Sequence, residues 1–556
     1  MPGSVASGER RAAATGLERL LVPTALYRDF LNDFSRVRDF YPADFRDPKE
    51  AAARAGSRGY PADRRARVAA VLRRQAERNA LLDGSRESLE RFERPNAVAV
   101  IAGQQPGLFG GPLYTLYKVL TAVSLARSIE AAAGVPAVAV FWIASDDHDF
   151  EEVRRAYLSD ASPEPAPVEY PTEAAPRGVS VSRITFGPAV EAMVRGAESL
   201  LPPSEFREEL LARLRDAYAP GRGWSEACAR FLGRFVVELG ALVFDASDEE
   251  AKTIAMPVFE REIALHGRSA QAAKERGEEL ARRGYHAQIA RAGNELNLFW
   301  HAREREAVRI AEGGAFRLAV SNQEMTESKL LALVRNRPAD VSPGVLLRPL
   351  MQDHLFPTAA YVGGPSEVAY WAQVNAIYPL FEMEPSAIAP RAGATLLEPK
   401  VARTLDRFDV EWSALAGDPE PAIQAALRAL LPEDFPTLFG RERDHALAAI
   451  RKIEEAVLGF DPSLKSAVET TGNKVKHETE VLEKKLMQVW KRRQDESVQQ
   501  LKRAAGHLFP RGGLQERTIS ALGFLARYGP GLPGRLGAAL GAPGSHALVP
   551  LGGPAE

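Results

Sequence analysis

A glycine-rich stretch, residues 103–112, reads GQQPGLFGGP and is the first candidate for ligand binding. Its glycines let the backbone come close to a ligand, and a helix beginning near Leu113 would offer unpaired N–H groups to a phosphate or carboxylate. Lys118, one turn into that helix, could reach the same anion. The spacing matches neither GxGxxG nor GxxxxGKS/T, and the alternative is a tight turn followed by a solvated lysine. The loop residues that we predict to bind ligand are Gly103, Gln104, Gln105, Gly107, Gly110 and Gly111.

A cluster of carboxylates and an imidazole follows the next apolar run, in the segment Ser145–Asp149. Asp146, Asp147 and His148 could hold a divalent cation that bridges nucleotide phosphates, bind a substrate ammonium group or supply a general base. The alternative is helix capping, because Asp149 and the glutamate three residues later have the pattern of a capping box. We assign Asp149 to capping and keep Asp147 and His148 as candidate functional residues.

A third segment, residues 348–373, repeats the arrangement of a strand, a glycine turn and a helix. Gly363 and Gly364 permit close backbone approach, and Glu367 and Gln373 lie where polar side chains would line a pocket. Tyr370 is also a candidate for the pocket, although an aromatic residue here is more typical of a core than of a ligand stack.

The apolar pattern predicts the elements that would bring these segments together. Ala97–Ala102 and Ala137–Ala144 are all-apolar runs typical of strands buried on both faces, and the helical stretch Leu113–Ala132 joins them. These three elements predict a right-handed βαβ unit, in which the carboxyl ends of both strands lie at one edge of the sheet. Further strand-like runs predict a doubly wound α/β core: Ala241–Asp245, Leu296–Trp300, Ala307–Ala311 and Thr358–Val362.

A long helical arm is predicted near the C-terminus. Val468, Val475, Leu482 and Val489 recur every seven residues, with Thr479 and Leu486 at the alternate position. This spacing is a heptad seam, and a hairpin that turns at residues 459–462 would bury it against the preceding helix. A packed bundle helix is the alternative. From Ala538 the chain is rich in glycine and proline, which predicts a frayed tail.

Length and composition limit the class of protein. The 556 residues are 45% hydrophobic and 26% charged, which is typical of a globular protein of several domains. We predict a helical lead-in over residues 1–95, a catalytic core over 96–400, an arm over 401–510 and a C-terminal segment over 511–556 that packs back on the core and ends in a flexible tail. The formal charge of −2 disfavours a nucleic-acid partner.

The cysteine and histidine content argues against zinc. Cys228 is the single cysteine and lies in an apolar helical context, so a buried thiol is favoured over a nucleophile. The histidines show no ligand spacing, and we predict no metal-ligating residues and no zinc. No apolar run approaches the roughly 18 residues of a membrane span, and the first residues lack the apolar region of a signal peptide. We therefore expect a soluble protein of the cytoplasm with no membrane partner.

Three separated motifs carry a family resemblance: GQQPGLFGGPLYTLYK (residues 103–118), FWIASDDHDFEEV (141–153) and RPLMQDHLFPTAAYVGGPSEVAYWAQ (348–373). Together they resemble the cysteine-adding enzymes of bacillithiol biosynthesis, and a weaker echo, LQERTISALGFLARYG (514–529), extends the likeness over most of the chain. Further residues of these motifs join the predicted binding set: Tyr114, Arg348, Gln352, Asp353, Arg517 and Tyr528.

The resemblance implies an α/β fold with a Rossmann-like parallel-sheet core related to class I synthetases, helical insertions and a C-terminal coiled-coil arm that pairs two subunits as a homodimer. It also implies that the carboxyl group of L-cysteine is joined to the amine of glucosaminyl-malate, the last step towards the low-molecular-weight thiol bacillithiol. Amide formation from a free carboxylate is uphill in water, so ATP/ADP is the expected cofactor, through either an adenylate or an acyl phosphate, and Mg²⁺ could accompany it.

The sequence departs from the related patterns at three points. The glycine loop lacks the HIGH-type histidine pair of class I synthetases, and the single cysteine removes the thiolate cage that they use to select cysteine. Ser520 stands where the family is expected to carry Asn.

Three hypotheses for function follow. The first is a ligase in which Lys118, Asp147 and His148 are catalytic and the last two orient or deprotonate the amine. The second is a nucleotidyl transferase, or another class I synthetase-like amide ligase, that acts on a different small molecule. The third is a non-catalytic scaffold built around the coiled coil.

Overall fold

The computed structural model describes residues 17–159, 164–289, 295–430 and 435–552. Its contacts divide the chain into two compact units. Of the described residues, the first unit, here called the core unit, contains 18–159, 165–289, 295–396 and 514–552. The second, here called the arm unit, contains 397–430 and 435–513, together with Leu17 and Glu164.

The strands are short and most lie in the core unit. In chain order they are β1 Val98–Gln104, β2 Ala137–Ile143, β3 Arg155–Leu158, β4 Ala166–Glu169, β5 Ala241–Asp245, β6 Glu295–His301, β7 Arg305–Ile310, β8 Phe316–Leu318, β9 Glu324–Met325, β10 Val341–Pro343, β11 Thr358–Gly363, β12 Ala387–Pro390, β13 Gly393–Leu397 and β14 His546–Pro550.

The α-helices of the core unit are α1 Ala25–Asn32, α2 Pro48–Ser57, α3 Ala62–Arg78, α4 Leu82–Phe92, α5 Leu113–Ala133, α6 Phe150–Val153, α7 Ala189–Leu200, α8 Arg207–Ala217, α9 Trp224–Val237, α10 Glu249–Ile254, α11 Met256–Ala264, α12 Arg268–Arg282, α13 Glu327–Asn336, α14 Arg348–Leu355 and α15 Pro365–Val374. The arm unit contributes α16 Pro399–Phe408, α17 Glu420–Ala429, α18 Phe435–Phe460, α19 Lys465–Arg493 and α20 Asp495–Leu508. The chain then returns to the core unit with α21 Gln515–Thr518, α22 Ala521–Tyr528 and α23 Leu532–Ala539.

A five-stranded parallel sheet in the order β12-β11-β1-β2-β5 forms the centre of the core unit. The apolar runs predicted as strands are buried along their length, and Ile101 pairs with Val140 on one side and Tyr361 on the other. From β1 the chain winds first towards β2 and β5 and later, in the other direction, towards β11 and β12. The direction therefore reverses between β1 and β11, and in open α/β sheets ligands bind at such a reversal.

Helix α5 packs against β1, β2 and β11 and is buried around most of its circumference. It begins directly after Pro112, and it ends at Gly134, whose φ of 68° is a left-handed conformation that glycine adopts without strain. Because the first turn of α5 follows the end of β1, the geometry predicted for the βαβ unit is confirmed.

Two of the predicted core strands belong to a different sheet. The runs Leu296–Trp300 and Ala307–Ala311 lie in β6 and β7, which form an antiparallel sheet in the order β10-β6-β7-β8-β9. The prediction that they extend the doubly wound sheet is wrong, since only a few residues separate them. Such a link closes a hairpin, whereas parallel pairing needs a crossover of a dozen or more residues.

The arm is a helical hairpin of α18 and α19. Asp461 accepts a hydrogen bond from the Ser463 N–H (2.9 Å) at the turn, and Arg443 pairs with Glu483 (3.2 Å) between the helices. The predicted seam is only partly buried, because Leu482 and Val489 are 57% and 44% exposed.

Residues 538–552 are ordered where the sequence predicted a frayed tail, and the last four residues of that prediction, 553–556, lie outside the described residues. Strand β14 pairs with β13, and Val549 and Leu551 are buried at its end. His546 fixes the strand, since its Nε2 lies 2.9 Å from the Thr395 hydroxyl. The prediction is wrong because it weighed the glycine and proline content and missed the apolar residues that follow.

In the described parts of the chain, no helix has both the length and the apolar character needed to cross a membrane.

Candidate functional site

A cavity of about 370 Å³, here called the main cavity, opens at the carboxyl ends of the central strands. The loops after β1, β2 and β11 all contribute to it, so Gln104, Asp147 and Gly364 face one space. Twelve predicted site residues line it: Gly103, Gln104, Gln105, Tyr114, Lys118, Asp147, Arg348, Gln352, Gly364, Glu367, Tyr370 and Arg517.

A buried ion pair joins two of the loops. The Lys118 ammonium group donates to the Gly103 carbonyl (2.8 Å) and to Gln104 Oε1 (2.9 Å), and it pairs with the Glu367 carboxylate. Glu367 also accepts hydrogen bonds from the Gly364 N–H (2.8 Å) and the Tyr361 hydroxyl (2.6 Å). Burial lowers the pKa of Lys118, and the adjacent Glu367 opposes that change. Lys118 therefore fixes the glycine loop to the start of α15, and its charge is already compensated.

Gln104 is held in one orientation by the same contacts. Its amide oxygen faces Lys118, and its amide nitrogen donates to the Tyr114 hydroxyl oxygen (3.1 Å). Burial raises the pKa of Tyr114 to about 12, so that hydroxyl stays neutral at physiological pH. The cavity wall at this point is thus uncharged and polar.

The carboxylate of Asp147 is anchored on several sides. Its oxygens accept hydrogen bonds from the His148 N–H (2.7 Å) and from the Gln105 side-chain amide (3.1 Å). The hydrogen bond to the His148 side chain, with the charges of Arg348 and Arg305, holds the pKa of Asp147 well below its usual range. Asp147 is therefore ionised at neutral pH, which suits it to hold a cation or an ammonium group.

Glu152, which the sequence assigned to a capping box, lines the main cavity instead. Asp149 caps α6 as predicted, accepting the Glu152 N–H (3.2 Å). The Glu152 carboxylate accepts a hydrogen bond from the Gln105 amide instead (2.8 Å), so Gln105 bridges Glu152 and Asp147. Burial raises the pKa of Glu152, and the neighbouring acidic groups add to that effect. The carboxylates of Asp147 and Glu152 thus differ in basicity. In sites of this kind one carboxylate holds a cation and the other transfers a proton.

Three guanidinium groups face the main cavity. Arg391, which follows β12, forms a buried ion pair with Glu516 and lies 5.5 Å from the ring centre of Tyr114. Arg348 and Arg517 make no side-chain hydrogen bond or ion pair with another residue in the described ranges. An anion entering the cavity would therefore meet two cations that are not already held in a hydrogen bond or ion pair with a described residue.

His148 connects the site to the antiparallel sheet. Its Nδ1 lies 3.4 Å from Asp147 Oδ1 and 3.3 Å from a guanidinium nitrogen of Arg305 on β7. Arg305 also donates to the Ser342 hydroxyl (3.1 Å), whose oxygen lies 2.8 Å from Nε2 of the buried His301. His148 is half exposed and does not line the main cavity, so the structure gives it contact with Asp147 and no direct contact with the space.

A second cavity, of about 290 Å³, shares part of its wall with the main one. The shared residues are Gln104, Gln105, Tyr114, Glu152 and Arg517. Gly107 and Gly111 line this second cavity, where they pack so closely that a Cβ on Gly107 would lie 2.7 Å from the Gly111 Cα. The glycine loop therefore serves two adjoining spaces.

Several predicted site residues lie outside both cavities and support the backbone. Asp146 forms a buried ion pair with Lys252 (2.8 Å). Asp353 accepts hydrogen bonds from the Tyr378 hydroxyl (2.9 Å) and the Ser386 N–H (3.2 Å). The Gln373 amide bonds to both backbone groups of Ile289. Gly110, Gly363 and Tyr528 are also buried away from the two spaces.

Sequence reasoning missed Arg391, Glu152 and Tyr361, all of which line the main cavity. Arg391 directly follows a short parallel strand, and that position at the ligand-binding edge of the sheet is the signal that could have found it. Glu152 was assigned to capping, and Tyr361 was counted only as part of a strand.

Within the described ranges, no group of three or more His, Cys, Asp or Glu side chains is arranged to hold a metal ion. Cys228 is buried as predicted, and burial raises the pKa of its thiol to about 12. It lines neither cavity.

The central sheet, its reversal point and the polar cavity there define a Rossmann-like α/β protein with a small-molecule site, and α18 and α19 add a helical hairpin. A family model described as the N-terminal Rossmann-like domain of bacillithiol biosynthesis BshC matches residues 17–392. A second model, described as the C-terminal coiled-coil domain of the same family, matches residues 394–546. The chain belongs to the BshC family of bacillithiol biosynthesis.

Relatives match over nearly the whole length. The protein named "Putative cysteine ligase BshC" from Salinibacter ruber is 35% identical over 94% of this chain and 95% of its own. The protein of the same name from Koribacter versatilis is 32% identical over 95% of this chain and 97% of its own. One from Geobacillus thermodenitrificans is 29% identical over 80% of this chain and 82% of its own.

Proposed function

We propose that this chain is a cysteine ligase that joins the carboxyl group of L-cysteine to the amine of glucosaminyl-malate, in the last step of bacillithiol biosynthesis. The names of the relatives support the cysteine ligase, and the family supports the pathway. The observation that carries the proposal is the charge pattern of the main cavity. Arg348 and Arg517, which make no hydrogen bond or ion pair with a described residue, and the ionised Asp147 suit the carboxylates of the two substrates and the amine of the acceptor.

Asp147 holds the acceptor amine in this proposal. A carboxylate with a pKa so far below neutrality is a weak base, so Asp147 positions the ammonium group, and a more basic group takes its proton. Glu152 is that group, because its pKa is raised and Gln105 links it to Asp147. His148 positions Asp147 through their shared contact.

The reaction forms a carbon–nitrogen bond at the carboxyl carbon of cysteine and removes one carboxylate oxygen. The amine must lose a proton for its lone pair to attack. ATP, when bound, would supply the free energy and the phosphorus to which that oxygen is transferred, so that the oxygen would leave as part of phosphate or of AMP. Arg348, which lines the main cavity alone and makes no hydrogen bond or ion pair with a described residue, would be the cation available to its phosphates, and Asp147 would be the carboxylate available to Mg²⁺.

We further propose that the protein works in the cytoplasm as a homodimer paired through the arm. Support for pairing comes from Leu482 and Val489, which are large apolar side chains exposed on α19. Small-molecule substrates are the partners that the polar cavities suit.

The test is synthesis of bacillithiol by the purified protein from L-cysteine and glucosaminyl-malate, with and without ATP, followed by mass spectrometry. Asp147→Asn should reduce kcat/KM by about 100-fold or more, since an oriented amine is lost. Arg348→Gln should raise KM for glucosaminyl-malate. The exposed Asp83→Asn is the matched control.

An unchanged rate for Asp147→Asn would contradict the assigned role. If no bacillithiol forms but the protein catalyses ATP–pyrophosphate exchange with a different acid, the result would favour a nucleotidyl transferase that acts on another substrate. Full-rate synthesis without ATP would remove ATP from the proposal.

A further inference from the structure

The second cavity is lined by charged side chains whose presence is not explained by the roles proposed for the main cavity. Its charged side chains are Glu151, Glu152, Arg155 and Arg517. Glu151 is paired with Arg154 (2.8 Å) and Arg155 with Glu169 (2.8 Å), so those charges are compensated. Glu152 and Arg517 form no ion pair within the described ranges. The wall that the two cavities share therefore carries one uncompensated anion and one uncompensated cation.

One buried hydroxyl group in the second cavity lacks a partner. Thr115 is 1% exposed and lines the cavity, and its Oγ1 makes no hydrogen bond with any described residue. Leaving a buried hydroxyl without a partner is unfavourable, so such groups are uncommon unless a ligand or water completes them.

Matched opposite charges favour a zwitterion over a simple anion. A phosphate chain would meet the Glu152 carboxylate, and a simple amine would meet the Arg517 guanidinium group. An α-amino acid carries a carboxylate and an ammonium group on one carbon and satisfies both. Its side chain then has the second cavity to enter, and its carboxyl carbon stays at the shared wall, beside the space that holds the acceptor amine.

We propose that the second cavity is the side-chain subsite for the amino-acid substrate and that Thr115 selects a small side chain with a thiol or hydroxyl group. The inference rests on the proposed ligase function and deepens it by placing its two substrates in separate spaces. Arg517 binds the carboxylate, and Thr115 Oγ1 bonds to the side-chain sulfur or oxygen. One oxygen of Glu152 accepts a hydrogen bond from the ammonium group, and its other oxygen is left to take the proton of the acceptor amine. Thr115 would thus select cysteine in a chain that lacks the thiolate cage with which class I synthetases select it.

Calorimetry on the full chain tests this selection, with L-cysteine, L-serine, L-alanine and L-methionine as the probes. The unmodified protein should bind cysteine about tenfold more tightly than alanine, since a site built to bond a polar group rejects the analogue that lacks it. Thr115→Val, which keeps the shape and removes the hydroxyl, should abolish that ratio and leave alanine binding unchanged. Thr115→Ser should restore it.

Two variants that remove a charge distinguish binding of the amino and carboxylate groups of the amino acid from binding of its side chain. Glu152→Gln and Arg517→Gln should each lower the affinity for all four amino acids by about tenfold. The order of the four affinities should stay the same. Arg348→Gln, in the main cavity alone, should leave amino-acid binding unchanged and raise KM for the acceptor.

A cysteine-to-alanine ratio that survives in Thr115→Val would overturn the inference, and bacillithiol synthesis by that variant would show that the ligase proposal stands without it. Cysteine binding that responds to Arg348→Gln and not to Glu152→Gln would place the amino acid in the main cavity. If the unmodified protein neither binds cysteine nor makes product, both proposals fail.

Discussion

Cys228 shows how burial decides whether a reactive residue type is used. Its side chain lies within α9, and burial raises the pKa of the thiol to about 12. Because the thiolate is the reactive form, this cysteine is inert in the native protein.

We expect Ellman's reagent to leave the native protein unmodified at pH 8 and to label one thiol per chain in denaturant. Both reactions are followed at the absorbance of the released thiolate. Rapid labelling of the native chain would show that α9 opens to solvent, and Cys228→Ala provides the blank.

At the residue scale, the sequence predicts well which loops lie close together. It predicts less well what each side chain in those loops does. Gln104, Asp147 and Gly364 follow three parallel strands, so one sheet edge brings them together. Asp353 and Gln373 have the same polar character, but they bond to buried backbone groups, which depends on packing from distant parts of the chain. Motif composition alone cannot separate these two uses of a polar side chain.

Helix α10 is attached to the loop that follows β2 by one buried ion pair. Lys252 on this helix is 1% exposed and lies 2.8 Å from the Asp146 carboxylate. Loss of one partner would leave a buried charge uncompensated, which is costlier than loss of both.

Lys252→Met should lower the free energy of unfolding by about 3–5 kcal/mol in urea denaturation. The double variant Lys252→Met/Asp146→Asn should recover part of that loss. The exposed Lys274→Met is the control. A loss in the double variant as large as in the single one would show that the effect comes from packing of the lysine stem and not from charge.

Helix α14 provides a source of pH dependence. Burial, with a contribution from Arg64, lowers the pKa of His354 to about 4, and its Nε2 lies 3.1 Å from the Ile254 carbonyl. The unfolded chain binds a proton near the ordinary pKa of about 6.5, before the folded chain does. Folding stability is therefore complete above that pH and falls as the pH drops towards 4.

We expect the free energy of unfolding to decrease between pH 6.5 and 4 by up to about 1.4 kcal/mol per pH unit for this histidine. His354→Gln, which keeps a side-chain donor, should flatten this part of the curve. His301 is depressed further, to about 2, and its contribution should persist in the variant. An identical slope in both proteins would show that His354 is accessible to protons when folded.

At the element scale, the six predicted strands coincide with observed strands, but two of them belong to the antiparallel sheet, and β12 of the central sheet was not predicted. The apolar runs of β6 and β7 look like those of the central sheet. Their partner is decided by the short turn between Trp300 and Ala307, where the chain cannot make a parallel crossover.

At the scale of the whole molecule, the proposed pairing through the arm can be tested without an activity assay. Val475→Asp/Leu482→Asp should convert a dimer to a monomer in sedimentation velocity, because a charge at a packed seam is costly. Circular dichroism serves to confirm that the helices persist. A monomeric unmodified protein, or a dimer that survives both substitutions, would contradict the proposal.

The way the arm is inserted has a consequence for biosynthesis. The chain leaves the core unit at Leu396 and returns at Leu514, and the Gln515 side chain bonds to both backbone groups of Leu396 (2.8 and 3.1 Å). Glu516, the buried partner of Arg391, follows directly. On the ribosome, the nascent cavity wall therefore carries an unmatched guanidinium group until more than a hundred further residues have been translated. Ligand-competent protein should emerge only at the end of elongation, and a stalled chain would be a natural client for chaperones.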